Sequence, residues 1–258
     1  MTNILDKIFA DKQKELPGTK RNRPLSQLKQ RIGDQAPVRD VIKALNEGKH
    51  SKIIAEIKRR TPFKGELREN FNASEIAGDY ARYGAATLSI LTESNYFGSN
   101  IEILQEVRPI APIPLLRKDF IFDPYQILQS KIYHADAILL IISILSDNQI
   151  KEFIEIANNC NLDCLVETHT NKELERAMKI GYPIIGINNR NLNTLDINDY
   201  NTINLLSNIP KEFTIVAESG IKTHDQIKQY NDSGIFNFLI GESILKSTNI
   251  SNKIKKNA

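Results

Sequence analysis

Eight short apolar runs punctuate the chain, separated by amphipathic or polar stretches. The runs are KIIAEI from Lys52, AATLSIL from Ala85, IPLLRK from Ile113, DAILLII from Asp136, LDCLVE from Leu162, PIIGIN from Pro183, FTIVAE from Phe213 and FNFLIG from Phe236. Rich in Ile, Leu and Val, they read as strands buried on both faces of a parallel sheet. Helix signals fill the gaps. Asn72 and Ser74 open ASEIAGDYARYG, which closes on Gly84, and Asp123 with Pro124 opens PYQILQSKIYHA. Ser146 with Asp147 opens DNQIKEFIEIANNC, Asn171 opens KELERAMKIG with Gly181 at its end, and His224 to Gly234 repeats the form. These are the capping residues helices favour at their two ends. Successive runs begin about twenty to thirty-five residues apart, a spacing that suits βα units.

Eight such units predict an α/β protein, a single (β/α)8 barrel domain over residues 1–258. The rival is a doubly wound open sheet, with fewer strands and a glycine-rich dinucleotide fingerprint; no GxGxxG occurs. Residues 1–50 form a helical N-terminal extension, with helices predicted from Ile4 to Glu15 and from Pro37 to Glu47. Both are expected to cover the open bottom or the rim. The polar stretch between them, LPGTKRNRPLSQLKQRIGDQAP, is expected to be mobile.

Composition narrows the function classes. At 258 residues, 41% apolar and 25% charged, the chain can bury a large core without disulfide or metal staples. A net charge of +3 is too mild to point to nucleic acid, and Lys253, Lys255 and Lys256 read as a solvated helix end. Cys164 lies inside an apolar run and Cys160 at a helix-to-strand corner, where inert thiols are the default. His50, His134, His169 and His224 are scattered, so no metal-ligand spacing emerges. The charged, amphipathic N-terminus is unlike a signal peptide, and no apolar run approaches the ~18 to 20 residues that span a bilayer. A cytoplasmic protein without membrane contact is expected.

In such a barrel the active site lies at the C-terminal ends of the strands. Those ends carry Glu56 and Lys58, then Arg117, Lys118 and Asp119, then Glu167, then Asn188 and Arg190, then Glu218, Ser219 and Gly220, and finally Gly241, Glu242 and Ser243. Residues two apart on a strand share a face, which pairs Glu56 with Lys58 and Asn188 with Arg190. A single charge at a strand end is usually solvated or paired, and Lys118 with Asp119 could be a rim salt bridge. All six ends together would set two lysines against three glutamates at one mouth. Such groups shift one another's pKa values and equip a site for acid–base chemistry. The small residues of Ser219–Gly220 and Gly241–Glu242 follow strands seven and eight. Backbone N–H groups are exposed there, where barrels of this kind bind phosphate. Lys58 could add a charge to the same phosphate or act in the chemistry.

The strings IIAEIKRRTPFKG, LTESNYFGS, PLLRKDFIFDPYQI, ADAILLI, CLVETH, IGINNRNL, VAESGI and LIGESI stand in this order, one per strand. Taken together they resemble the indole-3-glycerol phosphate synthase family, from about Ile53 to Ser243, and the N-terminal extension fits that family too. The resemblance implies closure of the ring of 1-(2-carboxyphenylamino)-1-deoxyribulose 5-phosphate, with loss of carbon dioxide and water, on the route to tryptophan. It implies no metal and no organic cofactor, and a small phosphosugar substrate. A monomer or a weak homo-oligomer is expected, and contact with neighbouring pathway enzymes stays open.

By the same resemblance, Lys118 is the general acid for the ketone oxygen and Glu167 the second acid–base group, serving the dehydration. Glu56 and Lys58 match the strand-one pair, with Glu56 orienting and tuning Lys58. Asn188 and Arg190 surround the reacting part, and Glu218 binds substrate hydroxyls. Ser219, Gly220, Gly241 and the backbone N–H of Glu242 take the phosphate. Phe97, Phe120, Leu139 and Leu192 resemble the apolar wall for the aromatic ring; ordinary packing explains Leu139 and Leu192 equally well. Three positions depart from the family pattern. Thr61 stands where serine is frequent, Phe63 replaces a small polar residue, and Glu242 stands where some members carry serine. Two rival functions are a non-catalytic phosphate-binding barrel and a phosphoribosylanthranilate isomerase-like enzyme. The first has no use for Lys118, Glu56 and Glu167; the second wants a cysteine/aspartate pair, and Cys164 falls three residues short of a strand end. SNYFGSN and RRTPFKG are the loops expected to close over substrate.

Overall fold

A strand buried on both faces still needs a hydrogen-bonding partner at each edge, and a sheet that closes on itself supplies both. The computed structural model describes residues 4–33, 35, 37–48, 50–191, 196–198, 201–206 and 209–247. Its barrel strands are β1 (Lys52–Ile57), β2 (Thr87–Leu91), β3 (Leu115–Lys118), β4 (Ala137–Ile141), β5 (Asp163–Thr168), β6 (Ile184–Asn188), β7 (Thr214–Glu218) and β8 (Asn237–Ile240). Each pairs in parallel with the next, and β8 returns to β1 to close the barrel. The eight apolar runs are thus the eight strands of a (β/α)8 barrel.

The crossover helices start where the sequence places caps. Asn72 accepts from the N–H groups of Ser74 and Glu75 at the head of α4 (Ala73–Arg82), following the three helices of the extension, α1 (Ile4–Asn22), α2 (Leu25–Ile32) and α3 (Val41–Asn46). After α5 (Glu102–Val107), Asp123 and Ser146 form capping boxes on α6 (Pro124–Ile132) and α7 (Asp147–Asn159). Thr170, one residue before Asn171, caps α8 (Asn171–Ile180). Past α9 (Asn201–Leu206), Thr223 caps α10 (His224–Asp232), and α11 (Glu242–Leu245) follows β8. The sequence did not announce α5 and α9. Each has only six residues, too few to display a helical period.

The polar connector of the extension is helical, contrary to the expected mobile stretch. The first helix runs on through Pro17 to Asn22, and α2 follows at once. The cause is pairing. Lys20 meets Asp123 at 2.7 Å, Arg23 donates to the hydroxyl of Tyr133, and the Tyr125 hydroxyl donates to Arg23 O at 2.7 Å. Leu28 of α2 is fully buried. Residues that look solvated in sequence therefore face partners on α6.

The extension serves both ends of the barrel. The rim near the ends of β2 and β3 is covered by α1: Phe9 packs edge-on to Phe122 with centroids 5.1 Å apart, and the Tyr96 hydroxyl donates to Asp11 at 2.6 Å. At the opposite end, Asp163 accepts from the N–H groups of Val41 and Ile42 at 2.9 and 3.3 Å, seating α3 beneath the core. Inside, Ile54, Leu116, Leu139, Leu165, Val216 and Leu239 belong to one buried cluster. Alternation along the strands places Glu56, Lys118, Glu167 and Glu218 two residues beyond Ile54, Leu116, Leu165 and Val216. An apolar floor thus lies under a charged mouth.

Candidate active site

Lys118 is the hub of that mouth. Its Nζ donates to Glu167 Oε2 at 2.6 Å and to Glu218 Oε2 at 3.2 Å. Asn188 Nδ2 donates to Glu167 Oε1 at 3.3 Å, and Lys58 donates to Glu56. The carboxylates of Glu56, Glu167 and Glu218 are all buried. The expected grouping of two lysines against three glutamates is present, and the electrostatics follow from it. Burial pulls the Lys118 ammonium down, but the charges of Glu167, Glu218 and Glu56 outweigh it and hold its pKa above the ordinary lysine value. Desolvation therefore does not make Lys118 a stronger acid in this state; it stands fully protonated.

The two carboxylates on Lys118 are driven apart. Burial raises Glu167, yet Lys118 and His169 pull it well below the usual range. Burial pushes Glu218 up to about 8, with Lys118 opposing and Glu167 reinforcing the rise. One member is thus an anion and the other a protonated acid near neutral pH, and the two titrate as a pair.

His169, which reads in the sequence as one of four scattered histidines, belongs to this cluster as well. Its Nε2 lies 3.2 Å from Glu167 Oε1 and its Nδ1 3.4 Å from Glu173 Oε2. Burial lowers its pKa, but these two carboxylates win and raise it to about 9, so the ring adds a positive charge behind Glu167. The signal was available, because His169 follows Glu167 by two residues and so shares its side.

A cavity of about 460 Å³ opens at the mouth, bordered by Glu56, Lys58, Lys118, Asn188, Arg190, Glu218, Ser219, Gly220, Gly241 and Glu242. Glu167 stands behind this wall. Ser219 and Gly220 have φ of +65° and +82°, and the Ser219 conformation is uncommon outside glycine. Asn189 Nδ2 fixes the turn by donating to Ser219 O at 3.1 Å. Two glycines make room for the carboxylates. A Cβ at Gly241 would collide with the Glu56 carboxylate, and one at Gly186 with that of Glu218. The Glu242 carboxylate lies between Lys64 and Lys246.

Several residues named from the sequence do not line this cavity. Arg117 and Asp119 face away from the mouth, as alternation on either side of Lys118 requires. Asp119 pairs with Arg117 at 2.9 Å and with Lys12 of α1 at 2.8 Å, not with Lys118. Arg117 also donates to Gln126 O, Gln129 and Ser130. Phe97, Phe120, Leu139 and Thr61 do not border the cavity. Leu139 sits in the core in register with Leu165, and the Thr61 hydroxyl accepts from Lys64 N at 3.1 Å. Leu192 and the lysines at 253, 255 and 256 fall outside the described residues. The two expected closing loops touch: Arg60 N donates to Phe97 O at 3.3 Å and the Arg60 guanidinium to Asn95 O. Cys164 is buried within β5 and burial raises its thiol pKa, which leaves it no part in an isomerase-type acid–base pair. Among the described residues no group of three or more His, Cys, Asp or Glu could hold a metal ion, and no helix is long and apolar enough to cross a membrane.

Fold and site together define a (β/α)8 barrel enzyme with an acid–base cluster at the C-terminal mouth. The chain belongs to the family described as indole-3-glycerol phosphate synthase, which it matches over residues 5–256. It is 41% identical over 257 residues to the indole-3-glycerol phosphate synthase of Legionella pneumophila (strain Paris), covering 99% of this chain and 98% of that one. The protein of the same name from Acetivibrio thermocellus is 41% identical over 256 residues, covering 98% of both chains. Among solved structures, 3-hexulose-6-phosphate synthase from Salmonella typhimurium superposes with a TM-score of 0.64 at 12% identity, covering 80% of this chain and 95% of that one. Thiamine phosphate pyrophosphorylase from Pyrococcus furiosus gives 0.59 at 14% identity, covering 80% and 92%. These two likenesses are of fold alone.

Proposed function

We propose that this chain closes the indole ring, converting 1-(2-carboxyphenylamino)-1-deoxyribulose 5-phosphate to indole-3-glycerol phosphate, carbon dioxide and water. The observation that carries this reading is the Lys118 ammonium, held at 2.6 Å from Glu167 and 3.2 Å from Glu218 on the wall of the cavity of about 460 Å³ that Ser219, Gly220 and Gly241 also line. An aromatic carbon attacks the substrate ketone, and Lys118 gives a proton to the oxygen that becomes a hydroxyl. The bond to the carboxylate then breaks, and its electrons return to the ring system as carbon dioxide leaves. Loss of the hydroxyl, with a proton supplied to it, and loss of a ring proton to a base complete the indole. We assign these later transfers to the Glu56–Lys58 pair, which borders the cavity, and to ionised Glu167, which connects to it through Lys118 and Asn188. Protonated Glu218 is suited to donate a hydrogen bond to a substrate oxygen. The turn at Ser219–Gly220 and the backbone after Gly241 take the phosphate. The buried free thiols Cys160 and Cys164 suit a reducing compartment, and the proposed location is the cytoplasm.

The test exploits composition. The chain has no Trp, so its own emission comes from Tyr. Adding substrate should produce growing indole emission, and inorganic phosphate should compete weakly with the substrate. No emission would reject the activity. Emission without phosphate competition at any concentration would reject the phosphate assignment alone.

A further inference from the structure

We propose that the Glu242 side chain is an internal counter-ion that the substrate phosphate displaces, releasing Lys64 and Lys246 to bind it. This rests on the phosphate end assigned under the proposed function. Lys64 lies in the loop between two short antiparallel strands after β1, Arg60–Thr61 and Gly65–Glu66. Glu242 opens α11, and Lys246 follows its last residue. Lys64 Nζ donates to both carboxylate oxygens of Glu242 at 2.8 and 2.9 Å, and Lys246 Nζ to Oε1 at 2.9 Å. All three border the mouth cavity, together with Ser219 and Gly220.

Charge decides what this triplet can do. Lys58 is committed to Glu56, and Lys118 to Glu167 and Glu218. Two lysines on one carboxylate leave an excess positive charge at the end of the cavity where the phosphate is assigned. A phosphate monoester carries about −1.5 to −2 charges at pH 7 and three acceptor oxygens. A single carboxylate offers less charge and fewer acceptors to the same two ammonium groups. The triplet is also partly open to water, with the Lys64, Glu242 and Lys246 side chains 55%, 30% and 47% exposed, and exposed pairs are weakly held. Exchange of one anion for the other is therefore favoured. A carboxylate at position 242 would otherwise repel the ligand; here it keeps both lysines in place until the ligand arrives.

The test is the sign of three substitutions, read by calorimetric titration of the full chain with inorganic phosphate at fixed ionic strength. Glu242→Gln removes the competing charge and should tighten phosphate binding about three- to tenfold. Lys64→Ala and Lys246→Ala should each weaken it by a similar factor, and KM for the substrate should move with these values. Lys64→Ala with Glu242→Gln should return close to the parent chain. If Glu242→Gln weakens binding as Lys64→Ala does, the ion pair is a structural latch and the proposal fails. An unchanged affinity in Glu242→Gln, or no phosphate binding by the parent chain, also overturns it. The titration needs no turnover, so an inactive chain with the expected signs would reject the ring-closure reading and leave this one standing.

Discussion

Lys118→Met is expected to lower kcat by about 10²- to 10⁴-fold, the usual contribution of a positioned general acid, while substrate affinity changes little. Methionine keeps the bulk of the side chain but has no proton to give. The substitution leaves Glu167 and Glu218 facing each other without their shared cation. Burial and the neighbouring Glu167 already push the Glu218 carboxyl towards its protonated form, and loss of the Lys118 charge pushes it further, so the site need not hold two adjacent bare anions. His169 continues to pair with Glu167 from behind. Indole emission gives kcat, and calorimetry with the product gives affinity. Near-parental turnover would remove Lys118 from the acid role.

Glu167→Gln should have the second largest effect, and pH separates its causes. Removing this group should cost about 10²- to 10⁴-fold in kcat if it serves as acid and base in later steps. It also deprives Lys118 of its nearest anion, at 2.6 Å. The negative charges of Glu167, Glu218 and Glu56 together raise the Lys118 pKa against the effect of burial. With one charge gone, that pKa falls. The ammonium is the active form, so the alkaline limb of kcat/KM should move to lower pH. Glu218 is raised partly by Glu167, so its titration should also shift down from about 8. A profile that falls in height but keeps its alkaline limb would show that Glu167 does not set the charge of Lys118.

Much of this fold was legible because strand burial and helix capping are local. KIIAEI and FNFLIG announce β1 and β8, and Asn72, Asp123 and Ser146 cap the helices they were expected to open. The charged tips were legible through the rule that barrel sites sit at strand ends. Arg117 and Asp119 show that this rule needs the alternation rule beside it: as immediate neighbours of Lys118, they point to the other face and hold α1 through Lys12. What stayed hidden depends on distant partners. The connector after Leu16 looks solvated until Asp123 and Tyr133 are seen opposite Lys20 and Arg23. The direction of the Lys118 shift is a contest between burial and three carboxylates, decided by distances the sequence does not contain. Gly186 and Gly241 gain their meaning only from the carboxylates of Glu218 and Glu56, far away in the chain.

A crystal structure with bound indole-3-glycerol phosphate measures directly where the two ends of the ligand lie. The expected result is the phosphate against Ser219, Gly220 and Gly241, with the Lys118 ammonium facing the newly formed ring. A phosphate bound instead in the separate cavity of about 350 Å³ beneath α1, among Lys12, Arg23 and Arg117, with Lys118 out of reach of the ligand, would contradict it.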